Sequence, residues 1–410
     1  MSPKNISYRK SILKELLSHQ TLACADISAS IGKSVVLTTR VLNEMITHGI
    51  VEEKGLAPSS GGRRPATYSI KPDAVYLVSV AMDQFVTRIA LLDAGLNPVI
   101  PETKIELPLA NNEHALETLT NTISSVIKKS GIAPNKILGI GIAMPGFIDA
   151  KKGANYTFLG HNTAAFIKTQ TGLPVFIEND SSAIALAEYK FGIAKGEKNA
   201  MIINISWGVG LGMIIDNKLF RGDNGFAGEF SHIPLFINGK LCSCGKTGCL
   251  ETETSLGFML EQAIEKINHG RASVLKKMLT DAKDHEQKYQ DFIKAANIGD
   301  SLVVEIISDA GYNIGRGIAI LIHLLNPGKI VISGRCAAAG KIWLAPIQRA
   351  INEFCIPHLV SNTKVEVSTL NHKAEIIGAA ALLIENIQHS TFDRNEATSN
   401  NNSRQAVTHA

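Results

Sequence analysis

Three cysteines stand close together in the middle of the chain, and a histidine lies a short distance before them. Cys242, Cys244 and Cys249 fall within eight residues, with glycines between them that allow the backbone to turn sharply. Three thiolates and one imidazole are a common ligand set for a structural zinc ion. His232 is the nearest candidate for the fourth ligand. The segment therefore predicts a closed zinc site, and it also carries two carboxylates, Glu229 and Glu251.

Two other interpretations of the cysteines are a disulfide and three unrelated buried thiols. The N-terminal sequence MSPKNISYRK is polar and basic, and no apolar segment of a secretion signal follows it. We therefore expect a cytoplasmic protein, in which disulfides are rare. Buried cysteines also seldom gather on a glycine-rich turn, so zinc is the favoured interpretation.

Composition and charge point to a basic segment joined to a larger neutral body. The chain has 410 residues, of which 45% are hydrophobic, and this predicts more than one domain. No apolar run is long enough to span a membrane. Residues 1–72 carry ten basic and five acidic side chains, a net charge of +5, whereas the whole chain carries only +4. Such a basic segment is typical of nucleic-acid binding.

The basic segment has the pattern of a winged helix-turn-helix. Apolar spacing predicts helices over 7–19, 25–31 and about 33–48, followed by strands over 50–53 and 67–70. In such a domain the third helix enters the major groove and the glycine- and arginine-rich loop reaches the minor groove. The residues expected to contact DNA are Ser34, Thr38, Thr39, Arg40, Asn43, Gly62, Arg63 and Arg64. The alternative is a small helical domain with a solvated basic loop.

Strands that alternate with helices predict an α/β body after residue 72. Strand hairpins near Tyr76 and Met201 indicate a duplicated body of two lobes, the layout of the actin-like (ribonuclease H-like) sugar kinases. A strand over 96–107 and a helical stretch over 256–296 are among its predicted elements. The predicted domains are 1–72, a first lobe over 73–190 completed by 374–388, a second lobe over 191–373, and a disordered tail over 389–410.

Several motifs resemble those of the ROK family (repressors, open reading frames, kinases) over residues 7–388. They are Gly228-Glu229 with His232, CSCGKTGCLE over 242–251, Glu178-Asn179-Asp180 before a helix, Pro145-Gly146 after a strand, and Asn326-Pro327 before IVISG. The winged-helix segment and its GGRRP loop are similar to the N-acetylglucosamine- and xylose-type repressors of the family rather than to its kinases.

The resemblance implies both a metal set and a sugar set. The metal ligands would be His232, Cys242, Cys244 and Cys249, and the sugar-facing residues would be Asn179, Asp180, Glu229, His232 and Glu251. In a kinase of this type Asp180 would be the general base that deprotonates the attacking hydroxyl. Taken alone, Asn179-Asp180 could be a helix cap, and Glu229 could be an ordinary surface acid.

The chain departs from the family's kinases where they bind phosphate. Their first lobe has an Asp-x-Gly-Gly-Thr hairpin, in which the Asp works with magnesium and backbone amides hold phosphate. Here Ala81 stands at the Asp, and Asp83, Gln84 and Phe85 replace Gly-Gly-Thr. In the second lobe, Ser206-Trp207-Gly208 replaces Gly-Thr-Gly. We therefore expect neither ATP nor magnesium nor a catalytic residue, although a shifted register could present Asp83 to a metal ion.

The sequence as a whole predicts a sugar-responsive DNA-binding regulator, a repressor of carbohydrate-utilisation genes. Its expected partners are a double-stranded DNA operator, a sugar or sugar phosphate, and further copies of the chain in a homodimer or homotetramer, with no membrane. One alternative is an ATP-dependent sugar kinase of the hexokinase or N-acetylhexosamine kinase type that carries a DNA-binding segment. Another is regulation by the docking of a second protein.

Overall fold

The computed structural model describes residues 3–56, 64–282 and 284–392. The chain divides into two compact units. Unit 1 contains the described residues up to Met82, Thr87–Glu178 and the residues from Ala379, whereas unit 2 contains Asp83–Val86 and Asn179–Gly378. Among the described residues, no helix has the length and apolar character needed to cross a bilayer.

Unit 1 begins with three helices and a small sheet. The helices are α1 (Pro3–His19), α2 (Cys24–Ser30) and α3 (Val35–Thr47), and the strands are β1 (Leu22–Ala23), β2 (Val51–Leu56) and β3 (Ala66–Ile70), in the order β1-β3-β2. The apolar face of α1 is buried, as its 3.6-residue spacing requires. Strand β1 was not expected, but the three helices lie within a few residues of their predicted positions. We call residues 3–70 of the described chain the N-terminal segment.

The rest of unit 1 is built on a five-stranded sheet. Its elements in chain order are β4 (Tyr76–Met82), β5 (Val86–Leu92), β6 (Thr103–Glu106), α4 (Ala115–Ser130), β7 (Ile137–Met144), β8 (Ile148–Asp149), β9 (Ala154–Asn155), α5 (Thr163–Thr171) and β10 (Val175–Asn179), with a 3-10 helix at Pro134–Lys136. The strand order is β10-β7-β4-β5-β6. Strand β4 pairs antiparallel with β5 and parallel with β7. Both faces of β4 and β7 are apolar because neither strand faces water.

Unit 2 contains a second five-stranded sheet and most of the long helices. Its elements are α6 (Asp180–Phe191), β11 (Ala200–Ile205), β12 (Val209–Ile215), β13 (Lys218–Phe220), α7 (Glu251–Thr254), α8 (Leu256–Asn268), α9 (Leu275–Asp281), α10 (His285–Asn297), α11 (Ser301–Leu325), β14 (Lys329–Ser333), α12 (Leu344–Phe354), α13 (Pro357–Val360), β15 (Lys364–Val367) and the start of α14 (Lys373–Glu385). Three 3-10 helices complete the list, at Phe230–His232, Arg335–Trp343 and Ile387–His389, the last of which belongs to unit 1. The strand order is β13-β12-β11-β14-β15.

The two sheets share one topology. In each, the first strand pairs antiparallel with the second and parallel with a strand that follows a crossover, as β4 does with β5 and β7 and as β11 does with β12 and β14. The remaining strands occupy matching edges. This repetition agrees with the duplicated body expected from the two hairpins.

Some expected elements differ from the structure. The strand predicted over 96–107 is limited to β6, because Asp93 accepts a hydrogen bond from the Asn97 amide (2.8 Å) and holds 93–97 in a turn. The helical stretch predicted over 256–296 is three helices, interrupted after α8 by Gly270 at φ +93°. The division between units falls after Glu178 and not at residue 190.

The predicted tail begins later than expected. Residues 389–392 are ordered, with Ser390 and Phe392 buried. The backbone N–H of Thr391 donates to the carbonyl of Leu138 (3.1 Å), which fixes the segment to the start of β7. The remainder of the predicted tail, 393–410, lies outside the described residues.

Candidate functional site

The four predicted metal ligands come together in unit 2. One ligand atom from each of His232, Cys242, Cys244 and Cys249 lies within 4.8 Å of all the others. His232 Nδ1 is 3.6 Å from Cys242 Sγ, and the sulfurs of Cys244 and Cys249 are also 3.6 Å apart. Sulfurs at the corners of a tetrahedron with 2.3 Å metal–sulfur bonds are separated by roughly this distance. These residues can therefore hold a metal ion, and the six cysteines are free thiols, which leaves the disulfide interpretation without support.

Backbone pairing connects the cysteine turn to the residues around it. The N–H of Leu250 donates to the carbonyl of Ile233 (3.0 Å), and Pro234 pairs with Cys249. His232 and Glu251 are the next residues outward on these two strands, so the pairing fixes both. The turn therefore acts as a scaffold for its polar neighbours.

Two of the predicted sugar-facing carboxylates lie beside this scaffold. Glu229 Oε2 is 3.6 Å from His232 Nε2, the ring nitrogen that does not face the cysteines. Burial raises the pKa of Glu229, with His232 opposing and Glu251 reinforcing the shift. Glu229 follows Gly228, whose φ of +101° and closeness to the Leu211 carbonyl oxygen, 2.5 Å from any added Cβ, require glycine. The Glu229 side chain is 47% exposed.

Asn179 and Asp180 begin helix α6. The side-chain oxygen Oδ1 of Asn179 accepts hydrogen bonds from the backbone amides of Ser181 (3.0 Å) and Ser182 (3.2 Å), so the residue is the N-cap that its position allowed. Asp180 accepts from the Ser181 amide (2.8 Å) and the Asn204 side-chain amide (3.3 Å). Burial raises the pKa of Asp180 to about 7, the Ser181 amide opposes this, and Glu375 adds to it. Near neutral pH this carboxyl group can both donate and accept hydrogen bonds.

The first residues of β12 lie between Glu251 and the start of helix α6. The Val209 amide donates to Glu251 Oε2 (3.3 Å). The next residue, Gly210, approaches Ser181 so closely that an added Cβ would lie 2.0 Å from its hydroxyl oxygen. Glu251 and the start of α6 therefore flank the same short stretch of backbone. We call Asn179, Asp180, Glu229, His232 and Glu251 the polar cluster.

The backbone amides of the turn between β4 and β5 bind a carboxylate from the same turn, that of Asp83. Asp83 Oδ1 accepts hydrogen bonds from the amides of Phe85 (2.6 Å) and Val86 (2.7 Å). The other carboxylate oxygen pairs with Arg335 Nη2 at 2.5 Å. Burial raises the pKa of Asp83, and Arg335 opposes the shift. The Asp83 carboxylate therefore binds the backbone amides of the turn. Because its other oxygen pairs with Arg335, Asp83 is not placed to bind a metal ion, as a shifted register would have allowed.

Arg335 forms ion pairs with two further carboxylates. Its guanidinium, 2% exposed, lies 2.6 Å from Glu286 of α10 and 3.2 Å from Glu375 of α14. A buried guanidinium needs such partners, because desolvation of an unpaired charge is costly. We call Asp83, Glu286, Arg335 and Glu375 the Arg335 cluster; sequence motifs gave no indication of it.

Three aromatic rings pack against one another beside the β4–β5 turn. Phe85 stacks on His285 with centroids 4.4 Å apart, and Trp207 meets both rings edge-on, at 5.3 Å and 5.6 Å. Phe85 and Trp207 are the two bulky residues that replace small residues of the family's phosphate-binding turns. Their contact shows that the two substitutions fit each other.

The structure revises the set of side chains expected to face DNA. Thr38 is fully buried, and its hydroxyl is 2.7 Å from the Tyr8 hydroxyl, so the prediction that it contacts DNA is wrong. The reason is helical phase, because Thr38 lies on the buried face with Val41, Leu42 and Met45. Ser34 caps α3 by accepting from the Leu37 amide (3.3 Å).

The other expected DNA-facing residues have different positions. Arg40 and Asn43 are exposed, and Thr39 is half-buried with its hydroxyl on the Val35 carbonyl (2.9 Å). Arg64 is exposed, whereas Gly62 and Arg63 lie outside the described residues.

Sequence reasoning missed Val36, which begins the exposed face of α3 and is 82% exposed. Val36 could have been identified from the sequence, because it is an apolar residue on the side of the amphipathic helix opposite the buried face. Apolar side chains in this position can contact the methyl group of thymine.

The ROK family model matches residues 87–386, most of the body described above. The chain belongs to the ROK family. It is 29% identical over 382 residues to a xylose repressor of Caldicellulosiruptor bescii, covering 92% of this chain and 95% of that protein. It is 28% identical over 351 residues to the DNA-binding transcriptional dual regulator NagC of Escherichia coli, covering 84% of each chain.

Solved structures agree with this assignment. A ROK family transcriptional regulator, described as a homologue of the E. coli MLC protein, matches 94% of this chain and 97% of its own at 26% identity and a TM-score of 0.74. A ROK family glucokinase from Streptomyces griseus matches 75% of this chain and 98% of its own at 26% identity and a TM-score of 0.65. The recognition of the family and the actin-like sugar-kinase fold are confirmed.

The metal cluster leads to a test of metal content. The purified protein is expected to carry one tightly bound metal ion per chain, measured by plasma mass spectrometry, because four ligand atoms converge on one point. Cys249→Ser should lose the metal and melt several degrees lower. Cys24→Ser, which removes a thiol outside the cluster, should change neither. Full metal content in Cys249→Ser would show that the cluster is not the binding site.

The raised pKa of Asp180 leads to a test of pH dependence. An acid whose pKa is higher in the folded than in the unfolded state destabilises the fold as pH rises between those two values, here from 3.8 to about 7. The penalty is complete above pH 7, and Asp180→Asn removes it. The melting temperature of this variant, relative to wild type, is therefore expected to be a few degrees higher at pH 8 than at pH 5.

The matched control is Asp216→Asn, which removes an exposed carboxylate of unit 2. An equal difference for Asp180→Asn at both pH values would contradict the buried-carboxyl interpretation.

Proposed function

We propose that this ROK family protein is a sugar-responsive transcriptional repressor that binds operator DNA through its N-terminal segment. The observation that carries the proposal is the joining of a basic three-helix segment to a ROK body whose hairpin turn is filled by Asp83. The similarity to a xylose repressor and to a DNA-binding regulator over most of the chain supports it. Carbohydrate-utilisation genes are the expected targets.

DNA recognition is proposed to follow the winged helix-turn-helix mode. Helix α3 would enter the major groove with Val36, Arg40 and Asn43 facing the bases, because the N-terminal residues of a recognition helix contact base edges. Ser34 and Thr39 would lie close to the phosphates. The loop between β2 and β3, with Gly62, Arg63 and Arg64, would reach the minor groove.

Sugar binding is assigned to the polar cluster. Sugar hydroxyls both donate and accept hydrogen bonds, and carboxylates, an amide and an imidazole can pair with them in a partly dry site. The ring nitrogen of His232 that faces Glu229 would meet the sugar, while the other would meet the metal. We propose zinc as that metal, because three thiolates and one imidazole suit a closed zinc site. The zinc would hold the turn and take no part in chemistry.

The absence of catalysis is proposed from the β4–β5 turn. A kinase of this family would offer backbone amides of this hairpin to phosphate, whereas here the Phe85 and Val86 amides bind the Asp83 carboxylate. A phosphate would have to displace that carboxylate, separate it from Arg335 and approach the stacked rings. We propose that neither ATP nor magnesium binds.

Repression would be relieved by linkage between the two sites. Two N-terminal segments in a homodimer or homotetramer would read two half-sites, and a sugar that favours another spacing of these segments would weaken DNA binding. The alternative is that a docked protein, instead of a sugar, alters DNA binding. The sugar panel below distinguishes these two kinds of regulation.

The competing function is a sugar kinase that carries a DNA-binding segment. It is favoured by Asp180, whose pKa of about 7 suits a general base, and by the likeness to a glucokinase. The Arg335 cluster opposes it.

DNA binding is tested through Arg40. Affinity for the DNA upstream of the protein's own gene, measured by fluorescence anisotropy, should fall steeply with salt. Arg40→Ala is expected to weaken binding and to reduce the slope of log affinity against log salt by about one if the arginine contacts phosphate. Lys198→Ala, a surface lysine of unit 2 paired with Asp216, should leave the slope unchanged. Unchanged affinity in Arg40→Ala would remove this residue from the interface.

Sugar sensing and phosphorylation are separated by one panel of sugars. D-Xylose, D-glucose, N-acetylglucosamine and their phosphate esters are each added to the protein. At least one should raise the melting temperature of wild type, because a ligand that binds the folded state stabilises it. Glu251→Gln should abolish that shift, since the residue belongs to the polar cluster.

The same panel with Mg-ATP should release no sugar-dependent ADP. Sugar-dependent ADP release that disappears in Asp180→Ala would establish the kinase instead. A panel without any thermal shift would favour regulation by a docked protein.

A further inference from the structure

Helix α1 of the N-terminal segment contacts the residues that follow helix α14. Lys10 Nζ donates hydrogen bonds to the carbonyls of Gln388 and Ser390, both at 3.0 Å. The Lys10 residue is only 5% exposed, so its ammonium depends on these acceptors. We call residues 385–392 the C-terminal segment; it belongs to unit 1, as α1 does.

Further contacts surround this pair. Lys14 Nζ lies 3.2 Å from Glu385 Oε1, in an ion pair open to solvent. The Arg9 guanidinium lies over the ring of Phe392, 5.5 Å from its centroid. On the opposite side, the Thr391 hydroxyl donates to the Ile137 carbonyl at 2.5 Å. The C-terminal segment is therefore held between α1 and the start of β7.

The same helix α1 also holds α3. The hydroxyls of Tyr8 and Thr38 are 2.7 Å apart in the core of the N-terminal segment, and the Asn5 amide donates to Glu44 at 3.4 Å. Tyr8 and Lys10 are two residues apart on one helix. A shift of the C-terminal segment would therefore move α1 and α3 together.

Helix α14 connects this contact to the Arg335 cluster. Its first turn carries Glu375, which pairs with Arg335 in unit 2, and the division between the units falls within the helix, after Gly378. A helix of 13 residues transmits displacement along its axis because each turn is hydrogen-bonded to the next. A change at the Arg335 cluster would act on the first turn of α14, and Lys10 binds the carbonyls of Gln388 and Ser390, which follow the last turn of that helix.

We propose that Lys10 is a positioning residue that makes DNA binding responsive to the effector, by joining α1 to the C-terminal segment. This inference rests on the proposed function, a sugar-responsive DNA-binding protein. The contact transmits the response as a rigid connection and does not open during it. Lys10 touches neither DNA nor sugar in this role.

Replacement of Lys10 by methionine is the direct test, because it keeps the aliphatic stem and removes the donor. The probe is the sugar of the above panel that gives the largest thermal shift, and the DNA is the upstream region of the protein's own gene. In wild type the sugar should lower DNA affinity by ~5- to 150-fold, the usual range of allosteric coupling. In Lys10→Met the decrease should be less than about threefold. DNA affinity without sugar and the sugar-induced thermal shift should stay close to wild type.

Three variants control for a merely structural effect. Lys14→Met removes the neighbouring exposed ion pair, which is worth little, and should keep the full response. Lys10→Arg keeps a cationic donor and should restore most of it. Lys10→Gln, whose shorter amide cannot serve both carbonyls in the same way, should respond weakly and takes the place of Lys10→Met if that variant does not fold.

The outcomes separate this inference from the proposed function. A full sugar response in Lys10→Met and Lys10→Gln would overturn the inference and leave the proposed function intact. If wild type binds DNA but no sugar alters its affinity, the proposed sugar response fails, and the inference fails with it.

Discussion

The buried guanidinium of Arg335 is in contact with three carboxylates from distant parts of the chain. Asp83 comes from a hairpin turn, Glu286 from α10 and Glu375 from α14. Burial of these acids in their charged form requires a cation, and burial of the Arg335 guanidinium requires acids. The cluster therefore determines the conformation of the β4–β5 turn, the position of the first turn of α14 and the charge around Asp180. This one set of ion pairs joins a hairpin turn to two helices within unit 2.

The polar cluster depends on a different constraint, the pairing of Ile233 with Leu250. It fixes the chain on both sides of the cysteine turn, so that His232 and Glu251 have defined positions even before a metal ion is considered. A metal ion would add rigidity, because it joins residues separated by up to 17 positions in the sequence. A sugar's hydroxyl groups have fixed directions, and only a rigid set of partners can discriminate among them. The pairing would thus separate a scaffold from the proposed sugar-binding side chains.

Local patterns predicted much of the fold and of the metal cluster. The apolar period of α1 and α3 and the spacing of the cysteines depend on residues close together in sequence, and the structure agrees with both. The Arg335 cluster could not be predicted, because Asp83 and Arg335 are separated by most of the chain and no motif links the two residues. Thr38 is a different case. Its spacing from Val41, Leu42 and Met45 places it on the buried face, and a stricter use of helical phase would have found this.

The carboxylate of Asp83 has one more consequence, which concerns competition. It is attached two residues before one of the amides that it binds and three before the other, so it competes for these amides as an intramolecular ligand. A dissociable inhibitor could be outcompeted by abundant ATP, but a tethered anion cannot diffuse away. The protein's response to sugar would thus be independent of the energy state of the cell. For the proposed repressor, the sugar would then be the ligand that sets the response.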